Sequence, residues 1–448
     1  MNAGEQTEDH RRDKRLFGCM AMMAVGPVVL CACLLSVYWY CNRPTHVIVP
    51  THSVPANNAF DDWVTAGKML RGASHTYPCP DYQPSRDYTF ANFQACYDES
   101  RPALAIFRRG LGKTYVHPAI RSWDDTFPHF SYMRDVGHVI SAEAGYYQCL
   151  GQYGKALDSR LDGMELGAKM GKGAPLIGPI TGIACMAISR HNLEDMIPRL
   201  TRTDLARAAT RLDSIEAMMI PYSEAILEEG YVQVASVQEL PRHGKNLIDE
   251  LEPYYWPAQS GSWEMKWRRQ RYAFTNKQKM LESQLAYYNR LSTEAKKPFT
   301  GVSPVSVSGD EFADILCPYF GKSRVRFEAE KAAVRILRIE VALRRYYLDN
   351  GCHPAALSAL VPRYTGSIPP DPFGGKPFVY RASLPNKYAL YSVGVNLRDD
   401  RGTVGKKLRD PNADIVAGLL EGAEAKPIQV KGAPVSTQLC DAQLSSGP

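Results

Sequence analysis

A short segment near residue 120 contains the side chains that acid–base catalysis uses most often. In "VHPAIRSWDDTFPH" the imidazoles of His117 and His129 flank the carboxylates of Asp124 and Asp125. A histidine that a carboxylate orients moves protons in hydrolysis, and the same residue types bind zinc. The spacings of seven and four residues match no helical metal motif such as HExxH. Two interpretations stand: a hydrolase site between His117 and His129, or loop polar groups satisfied by their neighbours.

Other stretches match only parts of known catalytic motifs. The stretch "GLGKT" resembles the end of a phosphate-binding loop, but Phe107 stands where that loop requires a glycine, five residues before Gly112. The sequence contains no GxSxG elbow and no CxxC pair. A nucleotide site, a serine-hydrolase elbow and a zinc ribbon are therefore not predicted.

The chain that must position these side chains has the composition of an ordinary globular protein. Its 448 residues are 45% hydrophobic and 22% charged, which is enough material for more than one domain. The formal net charge of +6 is spread along the chain, whereas nucleic-acid-binding proteins concentrate basic residues on one face. We therefore expect no nucleic-acid partner.

The N-terminal region has the pattern of a membrane anchor. The basic cluster "HRRDKR" precedes residues 16–41, which are 26 residues without a charge. A helix crosses a ~30 Å hydrocarbon layer in about 20 residues, and basic residues stay on the cytoplasmic side. Tyr38, Trp39 and Tyr40 are placed to lie at the outer interface. A cleaved signal peptide is the alternative, which the long apolar run and these bulky aromatics disfavour.

The predicted membrane topology determines whether the cysteines can form disulfides. Four of the 11 cysteines lie in the anchor, and the remaining seven are Cys79, Cys96, Cys149, Cys185, Cys317, Cys352 and Cys440. An extracytoplasmic location permits disulfides. We expect Cys79 to pair with Cys96, since both lie in an irregular stretch, and other cysteines to be buried thiols.

Amphipathic helices dominate residues 56–300. Two of them are predicted to meet at Gly151, and the second has apolar residues at helical spacing: Leu157, Leu161, Met164 and Ala168. The spacing of Gly151, Tyr153 and Ala156 resembles the middle of a tetratricopeptide unit, which implies a layer of helical hairpins. No regular repeat of that unit's length is present, so we do not predict a solenoid.

Two local predictions concern the helices after this hairpin. The apolar run at residues 174–188 is too short to cross a membrane and contains prolines and glycines, so we expect a buried core helix. The amphipathic helix that starts near residue 203 is expected to have Thr203 as its N-terminal cap.

The last domain begins with a long predicted helix at residues 324–350. Its apolar stripe consists of Ala332, Ile336, Ile339, Leu343 and Tyr346. The opposite face carries Lys331, Arg335, Arg338 and Arg345. We expect that basic face to be solvated, as most charged helix faces are.

Short motifs follow this helix in a fixed order: "HPAALSALVPRY", "IPPDPFGGKPFVYR", "KYALYSVGVNLRDDRGT" and "NADI". The series resembles the soluble part of the major pseudopilins of bacterial type II secretion systems, over residues 324–416. The resemblance implies a small α+β domain in which a helix leads through a proline-rich corner into a strand hairpin. Prolines fix the backbone there, and Gly374 and Gly375 accept positive φ.

The resemblance also implies a metal site. Pseudopilins of this family hold a calcium ion in the loop after the second strand, which here corresponds to Asn396, Asp399, Asp400 and Asp414. Calcium takes six to eight oxygen ligands, which carboxylates and carbonyls of such a loop supply. Lys406, Lys407 and Arg409 weaken the field for a cation, and a solvated turn with scattered aspartates is the alternative.

The chain departs from the family at its N-terminus, because it has no short leader, no cleavage-site glycine and no apolar helix with an early glutamate. We therefore expect a pseudopilin-like module in a different protein, and fold alone does not define function. The predicted fold class is mainly α: a transmembrane helix, a tetratricopeptide-like helical-hairpin region and a C-terminal pseudopilin-like α+β domain. The expected boundaries are 1–15 cytoplasmic tail, 16–41 transmembrane helix, 42–55 stalk, 56–300 helical domain, 320–420 pseudopilin-like domain and 421–448 tail.

This organisation predicts a single-pass protein of the inner membrane whose N-terminus is cytoplasmic and whose bulk is periplasmic. Its expected role is to bind or scaffold other envelope proteins, in association with type II secretion, and not to catalyse a reaction. Calcium is the only cofactor that we expect. The alternative is the envelope hydrolase with its site near His117–His129.

Overall fold

The computed structural model describes residues 27–72, 89–122, 126–259, 261–300, 311–315, 321–383, 387–405, 413–417 and 432–434. The fold is mainly helical, as predicted. The chain forms two compact units, and both are discontinuous in sequence. The first unit comprises residues 1–49, 233–287 and 307–317, and the second comprises residues 50–232, 288–306 and 318–448.

The described residues form a series of α-helices. They are α1 (27–41), α2 (Ala59–Gly72), α3 (Phe90–Leu111), α4 (Pro128–Cys149), α5 (Tyr153–Lys169), α6 (Ile177–Arg190), α7 (Leu193–Met196), α8 (Arg202–Met218), α9 (Tyr222–Glu239), α10 (Leu247–Tyr255), α11 (Trp263–Ala273), α12 (Lys277–Ala295), α13 (Glu311–Ile315) and α14 (Gly321–Asn350). Short 3-10 helices span Ile197–Arg199, Leu240–His243, Pro257–Gln259 and Leu357–Leu360.

Helix α1 coincides with the second part of the predicted membrane anchor. Residues 16–26 of that anchor lie outside the described residues. Within the part of the chain that the structure describes, no helix combines the length and the hydrophobicity of a membrane span.

The predicted helical hairpin is present in the second unit. Helix α4 ends at Cys149 and α5 begins at Tyr153, and Gly151 between them has a φ of 71°. Glycine adopts this left-handed conformation without steric cost, which explains the sharp reversal. The apolar positions predicted for the second helix are fully or almost fully buried: Leu157, Leu161, Met164 and Ala168. This element was therefore predicted correctly.

Helix α6 packs closely on α5, which confirms the prediction of a buried core helix in this region. A Cβ atom added to Gly167 would lie 2.3 Å from the carbonyl oxygen of Gly182. The two backbones approach so closely because neither residue has a side chain at the crossing. The preceding region packs α2, α3 and α4 around a core that contains Trp63, Phe107 and Met133.

The cap predicted for α8 was wrong by two residues. Thr201, and not Thr203, precedes the helix, and its side chain accepts a hydrogen bond from the backbone N–H of Asp204. Asp204 reciprocates towards the backbone of Thr201, which completes a capping box. The pair of threonines made the position ambiguous, and the carboxylate three residues after Thr201 is the signal that identifies the cap.

Helix α14 contributes to two cores through two different faces. The predicted stripe of Ala332, Ile336, Ile339 and Leu343 is buried against the C-terminal sheet and corner. A second apolar row, Val334, Leu337 and Val341, packs with α5, α6 and α8. The long helix is therefore shared by the helical region and the C-terminal module.

The expectation of a solvated basic face on α14 was wrong for two residues. Arg335 Nε lies 2.7 Å from Glu216 Oε1, and Arg338 pairs with Glu216 and, at 2.5 Å, with Asp213. Both carboxylates belong to α8. Arg345 donates to the carbonyl oxygen of Tyr364 at 2.7 Å. Sequence periodicity predicted the charge of this face but not that Glu216 pairs with Arg335 and Arg338, because Glu216 lies more than a hundred residues away from them.

The C-terminal module contains a small antiparallel sheet of order β1-β2-β3, formed by Val379–Ser383, Lys387–Ser392 and Ile415–Val416. Tyr380 lies opposite Leu390 in the predicted hairpin. Gly374 and Gly375 have φ values of 80° and 70°, as the proline-rich corner required.

The buried carboxylate of Asp371 ties the corner to the end of β2. It accepts hydrogen bonds from the Phe373 N–H at 2.9 Å, from Ser392 Oγ at 2.9 Å and from the Val393 N–H at 3.1 Å. Burial raises the pKa of Asp371 to about 6. The corner is thereby a structural device that positions the sheet.

Cys96 carries a disulfide and lies in a small core with Phe93, Ala142 and Cys149. Its predicted partner, Cys79, lies outside the described residues. Among the described cysteines, Cys149 and Cys185 are buried free thiols, as expected, and Cys352 is a free thiol on the surface.

Candidate functional site

The predicted calcium residues come together in the loop between β2 and β3. The carboxylate of Asp414 accepts hydrogen bonds from two backbone N–H groups, that of Gly402 at 2.8 Å and that of Asp400 at 3.4 Å. Asn396 Nδ2 donates to Asp400 Oδ2 at 2.7 Å. Burial raises the pKa of Asp414, and the negative charges of Asp400 and Asp399 act in the same direction. Asn396, Asp400 and Asp414 therefore form one acidic cluster.

The carboxylate of Asp399 has different partners from that of Asp400. Its carboxylate accepts from Tyr391 Oη at 2.8 Å and from the Arg401 N–H at 2.9 Å, and it forms an ion pair with Arg381 at 2.9 Å. The hydrogen bond from Tyr391 is the main reason why the pKa of Asp399 is lowered. An arginine already balances this carboxylate, so Asp399 does not fit the role of a calcium ligand.

The remaining residues fit a cation in chemistry, because three oxygen-bearing side chains share one loop and the charge of Asp400 adds to burial in raising the pKa of Asp414. Loop residues 406–412 lie outside the described residues. Among the side chains that the structure describes, no group of three or more histidine, cysteine, aspartate or glutamate residues is placed to hold a metal ion. The fit is thus limited to Asn396, Asp400 and Asp414 together with backbone carbonyls.

The second candidate site is the pair formed by His117 and His129. Their Nε2 atoms lie 2.7 Å apart, and His117 Nδ1 lies 2.7 Å from the carbonyl oxygen of Pro118. The rings of Phe60 and Phe130 pack against His117 with centroid distances of 5.2 Å. Asp124 and Asp125, which were predicted to join this site, lie outside the described residues.

The hydrogen bonds of the pair determine where its protons are. A carbonyl oxygen only accepts, so His117 Nδ1 must carry the hydrogen and His117 Nε2 must accept. His129 Nε2 is then the donor of the 2.7 Å contact. In this arrangement His129 Nδ1 has no hydrogen and is the basic nitrogen of the pair.

Burial keeps both imidazoles neutral. It lowers the pKa of His117 to about 4, and the charge of His129 contributes in the same direction. Burial also lowers the pKa of His129. His117 is almost fully buried, whereas His129 is half-buried, so only His129 is accessible to solvent. The pair is chemically a neutral base that a second imidazole orients.

Sequence reasoning missed one member of this cluster. His52 Nε2 lies 2.6 Å from the carbonyl oxygen of His117, although 65 residues separate them. The residue lies in the segment interpreted as a stalk, and no local motif connects it to the pair. Only a long-range contact could have revealed it.

The phosphate-loop fragment forms no anion site. Lys113 Nζ lies 2.5 Å from Asp62 Oδ2, and Arg109 Nη2 lies 2.6 Å from Asp62 Oδ1. The lysine of the fragment therefore neutralises a buried carboxylate of α2. This agrees with the sequence interpretation that "GLGKT" is not a nucleotide motif.

Comparison with known proteins gives no relative for this arrangement: no family model matches the chain, and no curated protein or solved structure matches it.

Proposed function

We propose that this protein is a membrane-anchored scaffold protein of the bacterial envelope, associated with type II secretion. Residues 16–41 cross the inner membrane once, residues 1–15 lie in the cytoplasm and the remaining chain lies in the periplasm. There the protein binds other envelope proteins through its helical region and its pseudopilin-like C-terminal module.

The main support for membrane anchoring is that apolar side chains of α1 are exposed. Val28, Val29 and Leu30 are consecutive, and each side chain is more than half exposed. Consecutive residues of a helix point about 100° apart, so these three cannot belong to one packed stripe. A helix that presents large apolar side chains on all sides is expected to lie in lipid.

The C-terminal module supports the scaffold role. The helix, the corner, the hairpin and the acidic loop follow one another in the order that the pseudopilin resemblance implies. Pseudopilins are assembly components, and their resemblance is the reason for proposing protein binding. The two-faced packing of α14 joins this module firmly to the helical region, as a scaffold requires.

A native thiol allows the topology to be tested. Cys352 is free and exposed, and it follows α14 directly. A maleimide that cannot cross membranes should label wild-type protein in intact spheroplasts more strongly than Cys352→Ser, the matched control. The difference between the two proteins reports Cys352 alone. If that difference appears only after lysis, the C-terminal module is cytoplasmic and the proposal is wrong.

Calcium binding belongs to the same proposal. Calcium would be held by Asn396, Asp400 and Asp414, and it would relieve the repulsion between the two carboxylates. Adding calcium to chelator-treated protein should raise Tm by a few degrees at a concentration well above Kd. Asp414→Asn should abolish the shift, and Asp399→Asn should preserve it because Arg381 already engages Asp399. Equal behaviour of both variants would contradict the assignment.

The 2.7 Å contact between His117 and His129 supports a second candidate, a hydrolase in which His129 Nδ1 acts as general base. Purified full-length protein would be assayed with chromogenic esters. Any activity should fall about 100-fold or more in His129→Gln, as loss of a general base requires. The exposed His243→Gln is the control. Activity that survives in His129→Gln would exclude this site as its source.

A further inference from the structure

A group of large aromatic side chains is exposed on α10 and α11 of the first unit. Tyr254 is 82% exposed, Trp263 74%, Trp267 56% and Tyr255 51%. Tryptophan is seldom left in water because it loses more from exposure than other residues. Several such residues close together in sequence indicate a binding surface.

On α11, the exposed tryptophans and the buried residues lie on opposite sides of the helix. Trp263 and Trp267 are one helical turn apart, and Gln270 and Phe274 continue the same exposed row. Met265 and Tyr272 are buried on the other side. The helix is held at its start by Ser262, whose side chain accepts from the Met265 N–H at 3.2 Å. The exposed row is therefore a regular feature of a stable helix.

The same helix is rich in positive charge. It contains Lys266, Arg268, Arg269 and Arg271 against a single glutamate, Glu264. Arg269 is paired with Asp249 at 2.5 Å and with Glu252 at 2.5 Å. Lys266 and Arg271 are exposed beside the tryptophans. A helix with this combination of tryptophan and basic residues is typical of membrane interfaces.

The exposed row leads directly to the predicted outer end of the anchor. Asn42 Nδ2 donates to the carbonyl oxygen of Ala273 at 2.6 Å, and Cys41 Sγ donates to that of Phe274 at 3.1 Å. The rings of Tyr38 and Phe274 lie 6.0 Å apart. Helix α11 thus ends at the residues where α1 would leave the hydrocarbon layer.

We propose that α11 is a second membrane contact, which lies in the headgroup region beside the anchor and binds anionic lipid. This inference rests on the proposed anchoring by residues 16–41. Trp263 and Trp267 enter the boundary between headgroups and acyl chains, and Lys266 and Arg271 contact lipid phosphates. The contact fixes the orientation of the first unit on the bilayer, which a single crossing helix would leave free.

Tryptophan quenching tests this arrangement in full-length protein reconstituted into phosphatidylcholine vesicles that contain phosphatidylglycerol and brominated lipid. The difference in emission between wild type and Trp263→Phe/Trp267→Phe reports the two residues of α11. The difference between wild type and Trp39→Phe reports the anchor. Bromine near the headgroup end of the acyl chains should quench the α11 signal more strongly than bromine near the bilayer centre.

The two proposals fail in different ways. Quenching of the Trp39 signal without quenching of the α11 signal would overturn the interfacial helix and leave the anchor in place. Absence of both would show that residues 16–41 are not in lipid. An α11 signal that responds equally to both bromine positions would also contradict an interfacial location.

Charge substitutions test the lipid selectivity. Lys266→Glu/Gln270→Glu places two negative charges on the exposed row and should abolish the increase in α11 quenching that phosphatidylglycerol produces in wild type. Lys279→Glu, an exposed substitution on α12, should retain it. If Lys266→Glu/Gln270→Glu behaves like wild type, α11 does not bind anionic lipid.

Discussion

At the scale of single residues, the imidazole pair makes stability depend on pH. An unfolded histidine has a pKa near 6.5, and burial lowers that of His117 to about 4. Between these values the unfolded chain binds more protons than the folded chain, so the free energy of unfolding falls as pH falls. The loss attributable to His117 should reach about 3 kcal/mol below pH 4, since one pKa unit corresponds to 1.36 kcal/mol.

Urea unfolding of wild type and His117→Phe across this pH range would measure the effect. The phenylalanine variant does not titrate, so its free energy of unfolding should fall less steeply between pH 6.5 and pH 4. His243→Asn, at an exposed position, should keep the wild-type slope. A wild-type slope in His117→Phe would mean that the pKa of His117 is the same in the folded and the unfolded protein.

Asp371 is the residue on which the corner depends most. Three donors point at its carboxylate, and removing it leaves them unsatisfied in a buried place. Asp371→Ala should lower the free energy of unfolding by about 3 kcal/mol, because each orphaned buried group costs about 1 kcal/mol or more. Ser392→Ala removes one of the three donors and also the acceptor of the Gly394 N–H, and should cost about 1–2 kcal/mol. Equal losses in the two variants, measured by urea unfolding, would contradict this account.

Residue types in a short segment can indicate a local cluster, but they do not indicate which distant residues contact it. The pattern around residue 120 placed His117 and His129 in one candidate site, and the structure brings their Nε2 atoms to within 2.7 Å of each other. The role of Arg381 could not be predicted, since its pairing with Asp399 depends on the sheet that brings them together. Long-range contacts of this kind leave no local signal in the sequence.

At the scale of elements, the sequence predicted one buried face of α14 correctly and missed the other. A period of 3.6 residues revealed the stripe from Ala332 to Leu343, which is buried as expected. The second buried row was missed because arginines interrupt it. Those arginines are compatible with burial because Glu216 and Asp213 of α8 pair with them.

The ion pairs between α8 and α14 should therefore contribute to stability. Burial alone would raise the pKa of Glu216, but hydrogen bonds and charge from Arg335 and Arg338 lower it. Its contribution is present above the unfolded pKa and is lost as pH falls through the folded value. Glu216→Gln should cost about 3 kcal/mol, because it leaves the partly buried guanidinium group of Arg335 without a carboxylate and that of Arg338 with only the exposed Asp213.

Asp213→Asn is the matched control. Asp213 pairs with Arg338 from a side chain that is more than half exposed, and exposed ion pairs contribute about 1 kcal/mol or less. Urea unfolding of both variants at neutral pH would compare them. A loss in Asp213→Asn as large as that in Glu216→Gln would show that exposure does not set the strength of these pairs.

At the scale of the whole molecule, chain order and spatial organisation differ. Sequence boundaries divide the chain into consecutive segments, whereas each compact unit is assembled from three separate stretches. Composition and turn signals locate linkers, but they do not report which distant segments return to the same core. For this reason the mainly helical class was predictable, and the discontinuous units were not.

The disulfide of Cys96 connects the fold with the proposed periplasmic location. Disulfides persist in oxidising compartments, and the predicted partner is Cys79. Peptide mapping of unreduced protein purified from cells should recover Cys79 linked to Cys96. Because a loop of about 15 residues gives about 3 kcal/mol of stabilisation, Cys96→Ser should lower the free energy of unfolding by about that amount. Cys149→Ser, which removes a buried free thiol of the same core, should leave the linked peptide intact. A map that links Cys96 to another cysteine would make the pairing wrong, and a reduced Cys96 in cells would contradict the periplasmic location itself.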